Sequence, residues 1–206
     1  IPQLAESWVI APDQTKITFK IRQGVPWHKG YGDVTAEDIV WTYNNSFEEG
    51  STGNAGEQLP PGHKVGWEVQ DTYTAVMNVA EGGFDPLWGY LHGGNFLQAF
   101  GMVSKKAYDD MGEDKFLTNA VGTGPFEVTY WRGHDEILAE SVPNHWRVKN
   151  PGFQTLRIVE MPELAAREAA IRTGEVDITA IPPKVLKGVV DDTGAGVEYV
   201  SLPAPN

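Results

Sequence analysis

Apolar and polar residues alternate from position 15 to 22, where Ile17, Phe19 and Ile21 are separated by Lys16, Thr18 and Lys20. A period of two puts the apolar set on one face of an extended chain, so this run predicts a half-buried β-strand. Residues 4–10 form a second β-prone run, and the connection Ala11-Pro12-Asp13-Gln14 makes the pair an antiparallel hairpin. The period then changes. Ala36, Ile39, Val40, Tyr43 and Phe47 recur at helical spacing behind Thr35, which with Asp38 resembles a capping box. Together they predict a helix of about three turns with one face on a core.

Residues 48–62, with Gly50, Gly53, Gly56, Pro60 and Pro61, read as a long polar surface loop. Runs at 64–69 and 73–79 around Gln70-Asp71 predict a second hairpin, and residues 81–94 are rich in glycine and aromatics. Ser104 and Gly112 mark two short helices over 104–110 and 113–117. After Val121-Gly122-Thr123-Gly124-Pro125 the pattern predicts strands at 126–131, 136–140 and 156–161. A helix over 162–173 follows, opened by Pro162 and stopped by a left-handed Gly174. A short strand at 176–179, a helix at 183–190 and a strand at 197–201 complete the reading. The β-α-β-α-β order from 154 onward predicts an α/β domain with some parallel strands, whereas the first 120 residues predict hairpins with peripheral helices.

At 206 residues and roughly 150 per domain, the chain is one large domain or two small ones. Its 41% hydrophobic and 11% aromatic content is that of a folded protein. Charge narrows the partners: 16 Lys+Arg against 28 Asp+Glu leaves −12, and no basic cluster reverses that field locally. Phosphate backbones and anionic membrane surfaces are repelled, so nucleic acid is excluded as a partner. No run approaches the roughly 18 apolar residues that span a bilayer, and Ile1-Pro2-Gln3-Leu4-Ala5-Glu6 lacks the regions of a signal peptide. With no cysteine, disulfides, thiolate zinc sites and cysteine nucleophiles are excluded, and no compartment is fixed.

Candidate chemistry is sparse. His28, His63, His92, His134 and His145 are scattered, none at the spacing of a helical metal site, so they read as isolated surface or loop residues, and no metal or cofactor is expected. The acidic doublets Glu37/Asp38, Glu48/Glu49, Asp109/Asp110, Asp135/Glu136 and Asp191/Asp192 point to different faces, which suits helix ends and solvated turns better than acid/base pairs. A carboxylate-dependent hydrolase of a polar polymer is the alternative that acidity and seven tryptophans leave open. Gly122-Thr123-Gly124-Pro125 precedes a strand, whereas a phosphate loop opens a helix, so it reads as a tight connection between two parts of the fold. The serines occupy no nucleophile elbow, and the tryptophans suit packing anchors more than a ligand platform.

Leu4-Ala5-Glu6-Ser7-Trp8, Thr18-Phe19-Lys20-Ile21-Arg22-Gln23-Gly24-Val25-Pro26-Trp27-His28 and Val34-Thr35-Ala36-Glu37-Asp38-Ile39-Val40 follow one another in order. Together they resemble the "LAESW … FKLR-x-GV-x-[FW]H-x-G … TAEDV" series of the family 5 extracellular solute-binding proteins of ABC importers, the peptide, dipeptide and nickel group. Gly122-Thr123-Gly124-Pro125-Phe126 resembles that family's "GTGPY", Pro143-Asn144-His145-Trp146 its "NPxYW", and Gly174-Glu175-Val176-Asp177-Ile178 its "GEvDi" segment. His145, in place of an aromatic or acidic residue, and Val142, in place of an arginine, depart from the pattern.

The resemblance implies an α/β, type II periplasmic-binding-protein-like fold: a mixed sheet with flanking helices plus a smaller hairpin-rich inserted domain. It implies that residues 1–119 are the inserted second domain and 120–206 part of the first lobe, with a third domain and the first lobe's opening strands outside this chain. It further implies a non-enzymatic binding component, monomeric when full length, periplasmic or extracellular and attached to the cell surface as a lipoprotein. Such a component closes on a small solute, foremost a peptide, and delivers it to a membrane permease. Thr179, Ala180, Ile181 and Pro182 are the residues that the resemblance places along the solute cleft, where backbone groups meet an extended ligand. Pro182 and Pro183 lack the N–H groups that strand-like pairing would use.

Overall fold

A computed structural model of the chain describes residues 3–47, 64–80, 101–191 and 196–198. It contains two compact units, one of Ile1–Trp131 with Ile137–Arg157 and one of Arg132–Glu136 with Ile158–Asn206.

The first unit is built on a four-stranded antiparallel sheet, ordered β1-β2-β4-β3, from β1 (Ala5–Ile10), β2 (Lys16–Ile21), β3 (Lys64–Asp71) and β4 (Thr74–Ala80). The alternation in β2 is realised: Ile17 and Ile21 are buried, while Lys16 and Lys20 are exposed. β4, second from one edge, is buried from Thr74 through Met77 on both faces, so it is a strand without an alternating pattern. β1, on the outside, is the opposite case, with Trp8, Val9 and Ile10 all exposed.

The helix expected behind Thr35 is α1 (Ala36–Phe47). Its Ile39 and Tyr43 join Ile17, Ile21, Val25, Trp27, Val34, Trp67, Met77 and Val121 in one core. Each such aliphatic side chain contributes about 1.5–3 kcal/mol when removed from water. The Tyr43 ring stacks on Trp67 at 4.2 Å and an interplanar angle of 7°, and Phe19 stacks on Trp67 at 5.4 Å. Asn44 completes the seam: its Nδ2 donates to the Trp67 carbonyl at 2.9 Å and its Oδ1 accepts from the Trp67 N–H at 3.0 Å. A helix side chain thus pairs the outer strand β3 as a neighbouring strand would. Two short helices follow, α2 (Lys105–Met111) with Ser104 as its N-cap, and α3 (Glu113–Phe116).

A second sheet, ordered β5-β6-β7, comprises β5 (Phe126–Arg132), β6 (Glu136–Ser141) and β7 (Thr155–Val159). The Ser141 N–H donates to the Gln154 carbonyl and the Glu160 N–H to the Asp135 carbonyl, each at 2.8 Å, so partner numbers fall as strand numbers rise and β6 and β7 are antiparallel. The parallel pairing expected after 154 does not occur among the described residues. The strand expected at 176–179 also does not form: Ile178 is 90% exposed and no described strand runs beside it. Residues 196–198 are likewise not in a strand, and the rest of the run expected to 201 lies outside the described residues, as do the loop at 48–62 and residues 81–94.

The second unit carries α4 (Leu164–Thr173) and α5 (Pro183–Asp191). Glu163 is the N-cap of α4, so Pro162 precedes the helix and does not open it. Gly174 ends α4 in the left-handed region, φ +73°, its N–H on the Ala170 carbonyl. No described helix is long and apolar enough to cross a membrane.

Candidate functional site

The turn at 122–125 lies in the first unit, between α3 and β5. All four of its carbonyls accept hydrogen bonds. Gly122 accepts from the His28 N–H at 2.9 Å, Gly124 from His28 Nε2 at 2.8 Å, and Pro125 from the Val142 N–H at 2.9 Å. Thr123 accepts two, from His145 Nε2 at 2.7 Å and Trp146 Nε1 at 2.9 Å, which fills both lone pairs. Asn144, at φ +54°, turns the chain so that the two rings after it converge on this one oxygen. His145 Nδ1 accepts from the Val148 N–H at 2.9 Å and the Arg147 N–H at 3.2 Å.

His28 and His145 are therefore buried packing residues, 8% and 6% exposed, and not the isolated surface or loop histidines their spacing suggests. Sequence separation hides the pair. The only sign of it is that both lie in motifs of the family resemblance. His134 matches the expectation, with its side chain in solvent beside Glu160, whereas His63 and His92 lie outside the described residues. Among the described residues no group of three or more His, Asp and Glu could hold a metal ion.

A second organising group is Asp38. Its Oδ2 accepts from the Thr35 N–H at 2.9 Å, the Thr35 hydroxyl at 3.1 Å and Trp27 Nε1 at 3.3 Å, and its Oδ1 from the Lys105 N–H at 2.9 Å. One buried carboxylate thus caps α1 and reaches the first residue of α2. Other acids are equally committed to structure. Asp109 and Asp110 pair with Lys105 and Lys106 one helical turn back, which holds both ammonium pKa values above the usual range. Asp13 is held below the usual carboxylate range by the Thr15 hydroxyl and N–H, and Asp71 by bonds to Thr74 and to the Tyr73 N–H. These are turn and helix roles, and they give no support to a hydrolase that needs two free, facing carboxylates.

The four residues placed along the cleft by resemblance lie in the second unit, on the irregular connection between α4 and α5. Ala180 is exposed and Thr179, Ile181 and Pro182 are half-buried. The Pro182 carbonyl is already used, accepting from the Val185 and Leu186 N–H groups at 3.1 and 3.2 Å as the start of α5. The backbone groups of Thr179, Ala180 and Ile181 have no hydrogen-bond partner among the described residues.

The tryptophans divide. Trp27 and Trp67 are core, Trp41 and Trp146 are half-buried, and Trp8 and Trp131 are 48% and 44% exposed. Trp88 lies outside the described residues.

A sequence profile of the bacterial extracellular solute-binding proteins, family 5, middle region, matches residues 1–203. The chain belongs to this family. Family 5 is a family of binding proteins and not of enzymes. A curated relative, the dipeptide-binding protein of Escherichia coli K12, is 26% identical over 203 residues, covering 88% of this chain and 36% of its own length. The heme-binding protein A of Haemophilus influenzae is 25% identical, covering 98% and 41%. The chain thus spans about two fifths or less of these curated relatives. Among solved structures, the binding protein MoaA of A. tumefaciens R10, in complex with mannopinic acid, is 28% identical with a TM-score of 0.69, covering 85% of this chain and 34% of that one. HbpA2 from Haemophilus parasuis aligns at a TM-score of 0.75 with 21% identity, covering 94% and 41%. These family 5 neighbours have the type II periplasmic-binding-protein fold, so the fold class expected by resemblance holds.

Proposed function

We propose that this chain is part of the solute-binding component of an ABC importer, capturing a peptide between two lobes and handing it to a membrane permease. The family 5 match over residues 1–203 carries the reading. Names among its relatives, such as the dipeptide-binding protein of Escherichia coli and a di/tripeptide-binding protein of Pseudomonas aeruginosa, favour a peptide over other solutes. Residues 1–119 are assigned to the inserted domain and 120–206 to part of the first lobe, following the motif order and the share of the relatives that the chain spans. The working site is periplasmic or extracellular, at the cell surface, and the full-length protein acts as a monomer.

Thr179, Ala180, Ile181 and Pro182 form one wall of the cleft. Support comes from the N–H and C=O groups of Thr179–Ile181, which have no partner among the described residues and which an extended peptide main chain complements. Pro182 bounds the wall, having no N–H and a carbonyl committed to α5. Binding drives closure only as far as the closed form contacts the solute better than the open one.

Thermal-shift screening of a full-length family protein carrying this chain, against di- and tripeptides and oligosaccharides, tests the reading. A ligand at 100 times its Kd stabilises the folded state by about 2.7 kcal/mol. A shift with peptides and none with oligosaccharides is expected, while the 206-residue chain alone, having one wall, gives no shift with either. A shift with oligosaccharides alone would overturn the peptide assignment. Replacing Ala180 by Pro, which removes one N–H, is expected to weaken peptide binding without altering the unliganded melting temperature.

A further inference from the structure

We propose that His145 is a proton-operated clasp: neutral, it ties the turn at 122–125 to residues 145–148, and protonated, it releases them. The inference rests on hydrogen-bond geometry and stands apart from the transport reading.

Backbone N–H groups only donate, so Nδ1, facing the N–H groups of Arg147 and Val148, is an unprotonated acceptor. Nε2 faces the Thr123 carbonyl, which only accepts, so Nε2 carries the proton. Both ring nitrogens are committed, and the neutral Nε2–H tautomer is the one form that satisfies all three bonds. A second proton on Nδ1 would set an N–H against two N–H donors inside a site only 6% exposed.

His28 grips the same turn and provides an internal contrast. Its Nε2 donates to the Gly124 carbonyl, and no partner accepts from or donates to its Nδ1 among the described residues. Protonation of His28 adds a donor and breaks no bond. Of two buried histidines on one turn, His145 alone has a bond set that a proton destroys.

The charged groups around the clasp do not offset a new positive charge. Arg22 lies over the Trp146 ring, 5.8 Å from its centroid, and is paired with Glu6. The Arg147 guanidinium is held by Gln3 Oε1 at 2.7 Å. His28 is the remaining titratable group on the turn. No carboxylate pairs with His145 among the described residues, where His134 is the histidine that has such a partner. The clasped turn is where the chain passes from α3 to β5, so acid loosens that passage.

Amide hydrogen exchange at stepped pH, on the 206-residue chain or on a longer protein containing it, tests the clasp. After correction for intrinsic rates, protection of the Val148 and Arg147 amides is expected to fall by about tenfold or more toward acid, the order of a lost hydrogen bond. His145→Asn places an acceptor where Nδ1 stood without a titrating ring, and there the fall should vanish. In His28→Gln it should persist. Imidazole 15N shifts of the wild type give a reading that needs no variant: His145 must be protonated on Nε2 alone at neutral pH, and its titration must coincide with the loss of amide protection. A proton on Nδ1 at neutral pH, or amide loss at a different pH from the ring's titration, would overturn the clasp.

Discussion

Asp38 answers four donors from three segments of chain, close to the full acceptor capacity of a carboxylate. Removing it leaves the half-buried Thr35 and Lys105 N–H groups and the buried Trp27 indole without that partner, so Asp38→Ala is expected to cost about 3 kcal/mol. A lower urea midpoint at unchanged m-value would register it. Tyr43 is a pH-dependent counterpart. Burial pushes its hydroxyl up to about 12, above its ordinary value near 10. The folded state therefore favours the neutral ring. That contribution is complete below about pH 10 and is lost as pH rises toward about 12. Denaturant titrations at stepped alkaline pH should show this loss in the wild type and its absence in Tyr43→Phe.

Among the helices, ends decide more than bodies. Ser104 Oγ accepts the Ala107 N–H at 3.2 Å, and Ser104→Ala is expected to cost about 1 kcal/mol by thermal unfolding. Gly174→Ala meets no atom within 4 Å, so its cost, again about 1 kcal/mol, comes from the φ of +73° alone. Both caps were legible in the chain because Ser and Gly are chosen for local geometry, and β2 was legible because one of its faces is wet. The segment 176–179 is not a strand despite its composition, because β-branched residues express a preference while a strand requires a partner, and no described strand lies beside Ile178. The reciprocal capping box at Thr35 is half formed: Asp38 reaches back as expected, but the Thr35 hydroxyl turns to Asp38. The histidine pair was invisible for a different reason. Positions 28 and 145 are joined only through the turn at 122–125, distant from both in sequence, and no local period records such a link.

Taken as a whole, the molecule is unevenly consolidated. The first unit has an extended core around Trp27 and Trp67, whereas in the second only Ala170 and Val189 fall below a tenth exposed among the described residues. Local opening follows buried apolar contact, so native-state hydrogen exchange should show α4 and α5 exchanging well before β2 and β4. Equal protection would indicate that the second unit is stabilised by more than its own core. The outer strand β1 bears on how the protein must be handled. Trp8, Val9 and Ile10 display apolar side chains along a strand whose outer edge has no partner among the described residues. Two such edges can pair with one another, so precipitation is expected to set in at concentrations where the chain is still folded. A Val9→Lys substitution, charging the tip of that edge, should raise the concentration at which turbidity appears and leave the melting temperature where it was.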